Sequence, residues 1–188
     1  MALNNDAVLT AAKGYIYVAP VGTANPSAAE IESFDAATGF VGWENLGHTS
    51  RDELPEFGFE GGDTETRGTW QNEALKTVVT DPAVDYVTFR LHQFDELGLS
   101  LYYGSDTSVT DGEMEINSTS GGNQYAILIV MVDGDLKLGW YAAKTDIRRE
   151  ESIDLSVDEF AALPLRATVN KPDNGPLMKW INLPEMGS

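Results

Sequence analysis

Carboxylates are the side chains in this chain most able to do chemistry: 30 of its 188 residues are Asp or Glu, against 12 Lys and Arg. Two of them at the right separation could cleave a glycosidic bond, one as acid and one as base or nucleophile, but such a pair is defined by geometry. Their spacing points elsewhere. Glu56 and Glu60 flank Gly58 at alternate positions, and Asp154 and Asp158 flank Ser156 in the same way. Carboxylates at that period read as the polar face of a strand. Only His48 and His92 could supply imidazole, so a centre with several histidine ligands is excluded and a Ser/His/Asp triad would need one of these two. His92 lies where a strand gives way to a helix, a place for packing or capping, and His48 has no sequence partner.

The remaining motifs have plainer readings. Asp133-Gly134-Asp135 and Asp111-Gly112-Glu113 lack the spaced oxygen ligands of a calcium loop and read as turns. Gly58, Gly61 and Gly62 are not followed by lysine and a helix, as a phosphate loop requires. Asn117-Ser118-Thr119 has the form of a glycosylation acceptor but no secretory signal accompanies it. Trp43, Trp70, Trp140 and Trp180 could stack on sugars, and equally could fill a core or an interface. No cysteine is present, which removes disulfides, thiolate metal sites and cysteine nucleophiles. The expectation is a protein without catalysis, cofactor or metal.

A net charge of −18 gives no footprint for gripping phosphate, so stable binding of nucleic acid or anionic lipid is disfavoured, whereas a negative wall past which DNA slides remains compatible. An apolar fraction of 42% is that of a folded chain, so the acids belong on folded surfaces. The start carries no basic segment followed by an apolar run, and the longest apolar run, Tyr125 to Val132, is too short to span a bilayer. A soluble protein made in the cytoplasm, with no membrane partner, is expected.

The elements that must position these residues are mostly strands. The length suits one domain over 1–188, with an N-terminal arm (1–13), long connections (20–42 and 105–123) and a C-terminal tail (171–188). Gly14 to Ala19 reads as a strand, and Ser27 with Glu30 has the spacing of a capping box. Phe57 and Phe59 alternate with Glu56 and Glu60, and Gly61-Gly62-Asp63 predicts a turn into Thr64–Trp70, a hairpin polar on both faces whose register needs an external partner. Val87, Phe89 and Leu91 alternate in the next strand, after which Phe94, Leu97 and Leu101 predict one apolar face of a helix over Gln93 to Tyr103. Ser105 to Asn123 reads as a flexible loop. Tyr125 to Val132 is a central strand, joined through Asp133-Gly134 to Leu136–Ala143, and the alternations at 153–158 and 165–170 predict two more. Together they predict a mainly β fold: an antiparallel β-sandwich or open barrel of about eight strands with one flanking α-helix.

The segments LGHTSRDELPEFGFEGGDTETRGTWQNEAL, VDYVTFRLHQFDELGLSLYYG, AILIVMVDGD and SVDEFAALPLRATV resemble the major tail proteins of long-tailed phages of mycobacteria and related actinobacteria, over nearly the whole chain. That resemblance implies the tail tube fold, whose inner sheets join between subunits into one continuous barrel. It implies hexameric rings that stack into a hollow tube carrying double-stranded DNA without stably binding it. The implied partners are further copies of the chain, the tape measure protein during assembly, and tail terminator and distal tail proteins at the tube ends. On this reading Glu56, Glu60, Asp154 and Asp158 are expected to line the lumen. The reaching loop of the family matches His48 to Trp70, so Asp52, Glu53, Glu65 and Arg67 are expected to touch the neighbouring ring. Two other readings compete: a soluble sugar-binding sandwich, and a hexameric tube protein of a contractile secretion system, which shares the fold by analogy only.

Overall fold

The computed structural model describes residues 7–119 and 122–184; residues 1–6 of the expected arm and 185–188 of the expected tail lie outside this range. The first strand, β1 (Lys13–Pro20), ends at a residue with no N–H to give the ladder. Helix α1 (Ala28–Glu32) is held by the capping box that the spacing predicts: Glu30 N donates to Ser27 Oγ at 3.3 Å and Ser27 N to Glu30 Oε2 at 2.8 Å. There follow β2 (Glu44–Asn45), β3 (Glu56–Glu60), β4 (Thr64–Thr69), β5 (Asn72–Val79), β6 (Val84–Leu91) and α2 (Glu96–Tyr103). The chain then forms β7 (Thr107–Thr110), β8 (Glu113–Ile116), β9 (Asn123–Asp133), β10 (Leu136–Arg149), β11 (Leu163–Val169) and β12 (Lys179–Ile181).

Eight of these strands make one antiparallel sheet in the order β2-β1-β9-β10-β11-β6-β3, with β12 alongside β10. The segment that follows β2 curls this sheet on itself. Leu46 N donates to Ile16 O on β1, while Ser50 N donates to Arg90 O and His48 O accepts from His92 N beside the end of β6. Phe57 of β3 reaches across to Trp140 of β10 with ring centroids 5.1 Å apart. The result is the expected open barrel. Its inward face is the main core, with Ile16, Val87, Phe89, Leu91, Ile127, Ile129, Trp140, Leu163 and Leu165 buried together. Each aliphatic group so removed from water contributes about 1.5–3 kcal/mol before the entropy of ordering is subtracted. A bulge at Ala143–Lys144 lets β10 change its inward parity, so that Trp140 and Ala142 before it and Ile147 after it all point into the same core. The outward face is covered over β1, β9 and the first half of β10 by Ile31 of α1, Phe34, Phe40, Trp43 and Ile181. Over β3, β6, β11 and the second half of β10 that apolar cover does not extend among the described residues, and polar side chains line the face instead.

Helix α2 packs on the barrel by a different set of side chains than its spacing suggests. Asp95 caps it, its Oδ1 accepting from Gly98 N at 2.8 Å, so the helix starts at Glu96 and Phe94 lies ahead of it, 42% exposed. Leu101 is fully buried as expected, Leu97 is half-buried, and Tyr102 takes the place assigned to Phe94. At the far end Gly104, with φ 109°, closes the helix, and Asn123 Nδ2 donates to Ser100 O at 2.8 Å to satisfy one of the last carbonyls.

Three expectations need correction. Gly61 and Gly62, with φ of 76° and 87°, lead the chain away from the sheet and do not close a hairpin: β3 pairs with β6, and β4 pairs with β5. The stretch 105–123 contains the hairpin β7–β8, turned by Asp111 (φ 54°) and Gly112 (φ 84°), both in the left-handed conformation that Asp-Gly favours. Residues 153–158 form no strand despite their alternation, because no sheet edge of this chain lies alongside them.

Candidate functional site

The polar outward face is built by register. Opposed residues of antiparallel strands share a face, so Glu56, Thr88, Arg166 and Arg148 form one row across β3, β6, β11 and β10, and Gly58, Tyr86, Thr168 and Asp146 form the next. Two arginines organise it. Arg166, 9% exposed, donates from Nη2 to Glu60 Oε1 at 2.5 Å and lies 3.5 Å from Glu150. Its guanidinium rests 3.7 Å from the centroid of the Tyr86 ring. Burial works against its charge, but the Glu60 hydrogen bond and the charges of Glu150 and Glu60 more than reverse this and leave its pKa raised. Arg90 repeats the pattern, ion-paired with Glu53 and, at 2.7 Å, with Glu151. Glu60 keeps more than half of its side chain in water, so the Arg166–Glu60 pair is worth no more than about 1 kcal/mol; its effect is to fix side chains. The space for this stack comes from Gly58, where a Cβ would meet the Tyr86 ring at 2.5 Å.

Of the four carboxylates expected on strand faces, Glu56 and Glu60 are on this face and exposed. Asp154 and Asp158 are on the loop 150–162, where they border a depression with Asp52, Glu53, Arg90 and His92, so the strand argument that grouped them with Glu56 and Glu60 does not hold. That loop exposes three large apolar side chains, Leu155 at 77%, Val157 at 100% and Phe160 at 86%. His92 stays structural, its Nδ1 3.0 Å from Ala161 O and its ring against Phe160.

The second feature is the hairpin β4–β5. It is tied at its base by Gly62 N to Asp81 O and Thr80 N to Asp63 O, and along its length every residue but Val78 is exposed. Its faces differ. Thr64, Thr66, Thr77, Val79 and Leu75 occupy one, and Glu65, Arg67, Lys76 and Val78 the other, so the strand that pairs with Thr64–Thr69 supplies apolar groups that the polar reading of 64–70 lacked. Trp70, at the turn, is 98% exposed. Of the expected contact residues, Glu65 and Arg67 are on this hairpin, ion-paired with each other at 3.1 Å. Asp52 and Glu53 are on the body, Glu53 on the acidic face.

Sequence reasoning missed the arginine clamps and the tyrosine. Tyr86, Thr88 and Arg90 were visible as the polar side of an alternating strand, yet the partners of Arg166 are 106 and 16 residues away and have no local signature. Among the described residues no three His, Asp or Glu are grouped to hold a metal. Of the four tryptophans that could stack on sugars, Trp140 is buried in the core and Trp43 packs on Tyr141 at 6.0 Å, whereas Trp70 and Trp180 stay exposed. What the arrangement offers is a rigid, net acidic surface with a projecting arm.

Known proteins are similar to this chain in sequence. A family profile described as phage tail tube protein matches residues 1–185. Over 187 residues, 97% of this chain and 94% of the relative, the chain is 48% identical to the major tail protein Gp23 of Mycobacterium phage D29. It is 47% identical, with the same coverage, to the major tail protein Gp23 of Mycobacterium phage L5.

Proposed function

The chain belongs to the phage tail tube protein family, a structural and non-enzymatic component of the virion tail that assembles with itself and with other tail proteins, and from that premise we propose how this subunit builds the tube. Six copies, each a single tube domain, close into a ring, and rings stack into a hollow conduit for double-stranded DNA. The polar face of β3, β6, β11 and β10 lines the lumen.

The observation that carries this reading is that the outward face of β3, β6, β11 and the second half of β10 lacks an apolar cover among the described residues and is lined by glutamates. Glu53, Glu56, Glu60, Glu150 and Glu151 outnumber Arg90, Arg148 and Arg166 there. An acidic wall repels phosphate at every step. Loose arginines on such a wall would hold DNA back, and the glutamate pairs on Arg90 and Arg166 keep those two engaged. Glu56 and Glu60 are therefore lumen residues, whereas Asp154 and Asp158, beside Leu155, Val157 and Phe160, border a surface that a neighbouring copy covers. Among the described residues the outer edge of β3 has no partner, and pairing it with an adjacent subunit extends the inner sheets into one barrel and removes an aggregation-prone edge. The hairpin β4–β5 reaches the next ring through Glu65 and Arg67. During assembly the tape measure protein occupies the lumen, and tail terminator and distal tail proteins cap the ends.

Negative-stain electron microscopy of the purified protein tests this. Hollow tubes or sixfold rings are expected, and a protein that stays monomeric at high concentration would overturn the reading.

A further inference from the structure

The hairpin springs from the start of β6, and an apolar cleft lies alongside its second half, from Phe57 opposite Val87 to Thr49 opposite Leu91. The hairpin leaves and rejoins the body at Gly61–Asp63 and Asp81–Pro82, beside Val84 at the start of β6. The cleft has a volume of about 220 Å³ and is walled by Ile16, Leu54, Pro55, Phe57, Ile129 and Met131, so it is smaller than the roughly 300–1,000 Å³ of sites that hold small molecules and suits one large side chain. At about 3.3 Å per residue along β6, the walls of the cleft run from about 10 Å to about 23 Å from Val84.

We propose that this cleft receives Trp70 from the hairpin tip of a second copy of the chain. The inference rests on the tube reading and supplies the contact that stacks one ring on the next. An arm and a socket on different patches of the subunit make a heterologous, head-to-tail contact, which yields a filament when it does not close. Trp70 is 98% exposed, a state that such a side chain leaves when a partner buries it. The hairpin is long enough, since its strands of six and eight residues project about 20–25 Å. Charge agrees as well: exposed Glu73 lies three residues beyond Trp70, exposed Lys13 stands at the rim of the cleft, and neither is ion-paired among the described residues.

Because the chain contains no cysteine, disulfide trapping is free of background. Gln71→Cys and Leu54→Cys are placed in separate full-length chains, which are mixed, assembled and oxidised, with Trp70 kept in both. Peptide mapping is expected to show a 71–54 link between chains. Trp70→Ala is expected to raise the critical concentration for polymerisation by about thirtyfold, the loss typical of a buried aromatic anchor, while its unfolding midpoint stays at that of the unsubstituted chain. Tubes that form without the 71–54 link, as they would if another segment filled the cleft, overturn the contact alone, and so does Trp70→Ala assembling normally. Failure of the unsubstituted chain to form any tube would overturn the tube reading and this contact with it.

Discussion

Replacing Gly58 by alanine tests whether the acidic face is held by the stack of Gly58, Tyr86 and Arg166. The new Cβ would stand 2.5 Å from Cζ, 2.6 Å from the hydroxyl oxygen and 2.7 Å from Cε2 of Tyr86, about 1 Å inside the roughly 3.5–4.0 Å of ordinary carbon contacts. The ring cannot retreat freely, because the guanidinium of Arg166 lies 3.7 Å from its centroid. Overpacking of this kind costs about 1–3 kcal/mol, and displacing the ring forfeits a cation–π contact worth about 0.5–2 kcal/mol. The backbone raises no objection, since Gly58 is not among the residues with positive φ. With Tyr86→Ala the obstacle is gone, and Gly58→Ala then gains about 0.5–1 kcal/mol by reducing the freedom of the unfolded strand. The sign of the same substitution therefore reverses between backgrounds, with a coupling of about 1.5–5 kcal/mol. Urea unfolding of the four proteins measures it, as midpoints at unchanged m-value. A coupling below about 0.5 kcal/mol, the range of independent sites, would refute the stack.

Leu101→Ala, at a fully buried position of α2, should cost about 2–5 kcal/mol by the same unfolding measurement, while Phe94→Ala, outside the helix and 42% exposed, should cost under about 1 kcal/mol; equal losses would restore the helix face that the spacing suggested. Glu56→Lys reverses charge on the proposed lumen wall without touching an ion pair of the described residues. Virions carrying it should have tails of normal length and slower DNA release in an ejection assay, and unchanged release would remove Glu56 from the wall. Glu30 is held below the usual carboxylate range by the backbone N–H of Ser27 first and its hydroxyl second. Because its folded pKa is depressed, its contribution is complete above the unfolded value near 4.3 and is lost as pH falls through the lower folded value. The thermal midpoint of Glu30→Gln should thus trail that of the parent at neutral pH and converge with it in acid; a gap that stays constant with pH would contradict the capping box.

The parts of the fold legible in the sequence are those where one local cause dominates. Val87, Phe89 and Leu91 alternate because a single face of β6 enters the core, and Tyr125 to Val132 are apolar throughout because β9 is covered on both sides. The capping box at Ser27 and Glu30 is settled within four residues. Pairings that depend on distant chain were not legible. The alternation of Phe57 and Phe59 is genuine, but nothing local says that their strand pairs with β6 and not with the turn-linked segment that follows. At 153–158 the same period accompanies no strand, since alternation describes a face and cannot supply a neighbour. In the candidate site Glu56 and Glu60 could be placed on a polar face by period alone. The clamps that hold that face could not, because Arg166 meets Glu60 only after β11 and β3 have both paired with β6.

The pairing of β1 with β9 joins segments separated by roughly a hundred residues, and this sets a clock during synthesis. A ribosome adding about 5–20 residues per second needs about 5–20 s to deliver β9 after β1 has emerged. Through that interval the apolar strand Tyr15-Ile16-Tyr17-Val18 has no ladder to join. The last strand of the sheet, β12, comes later still and docks on β10 near the C-terminus. A nascent chain therefore cannot complete its sheet until β12 has been made and has emerged.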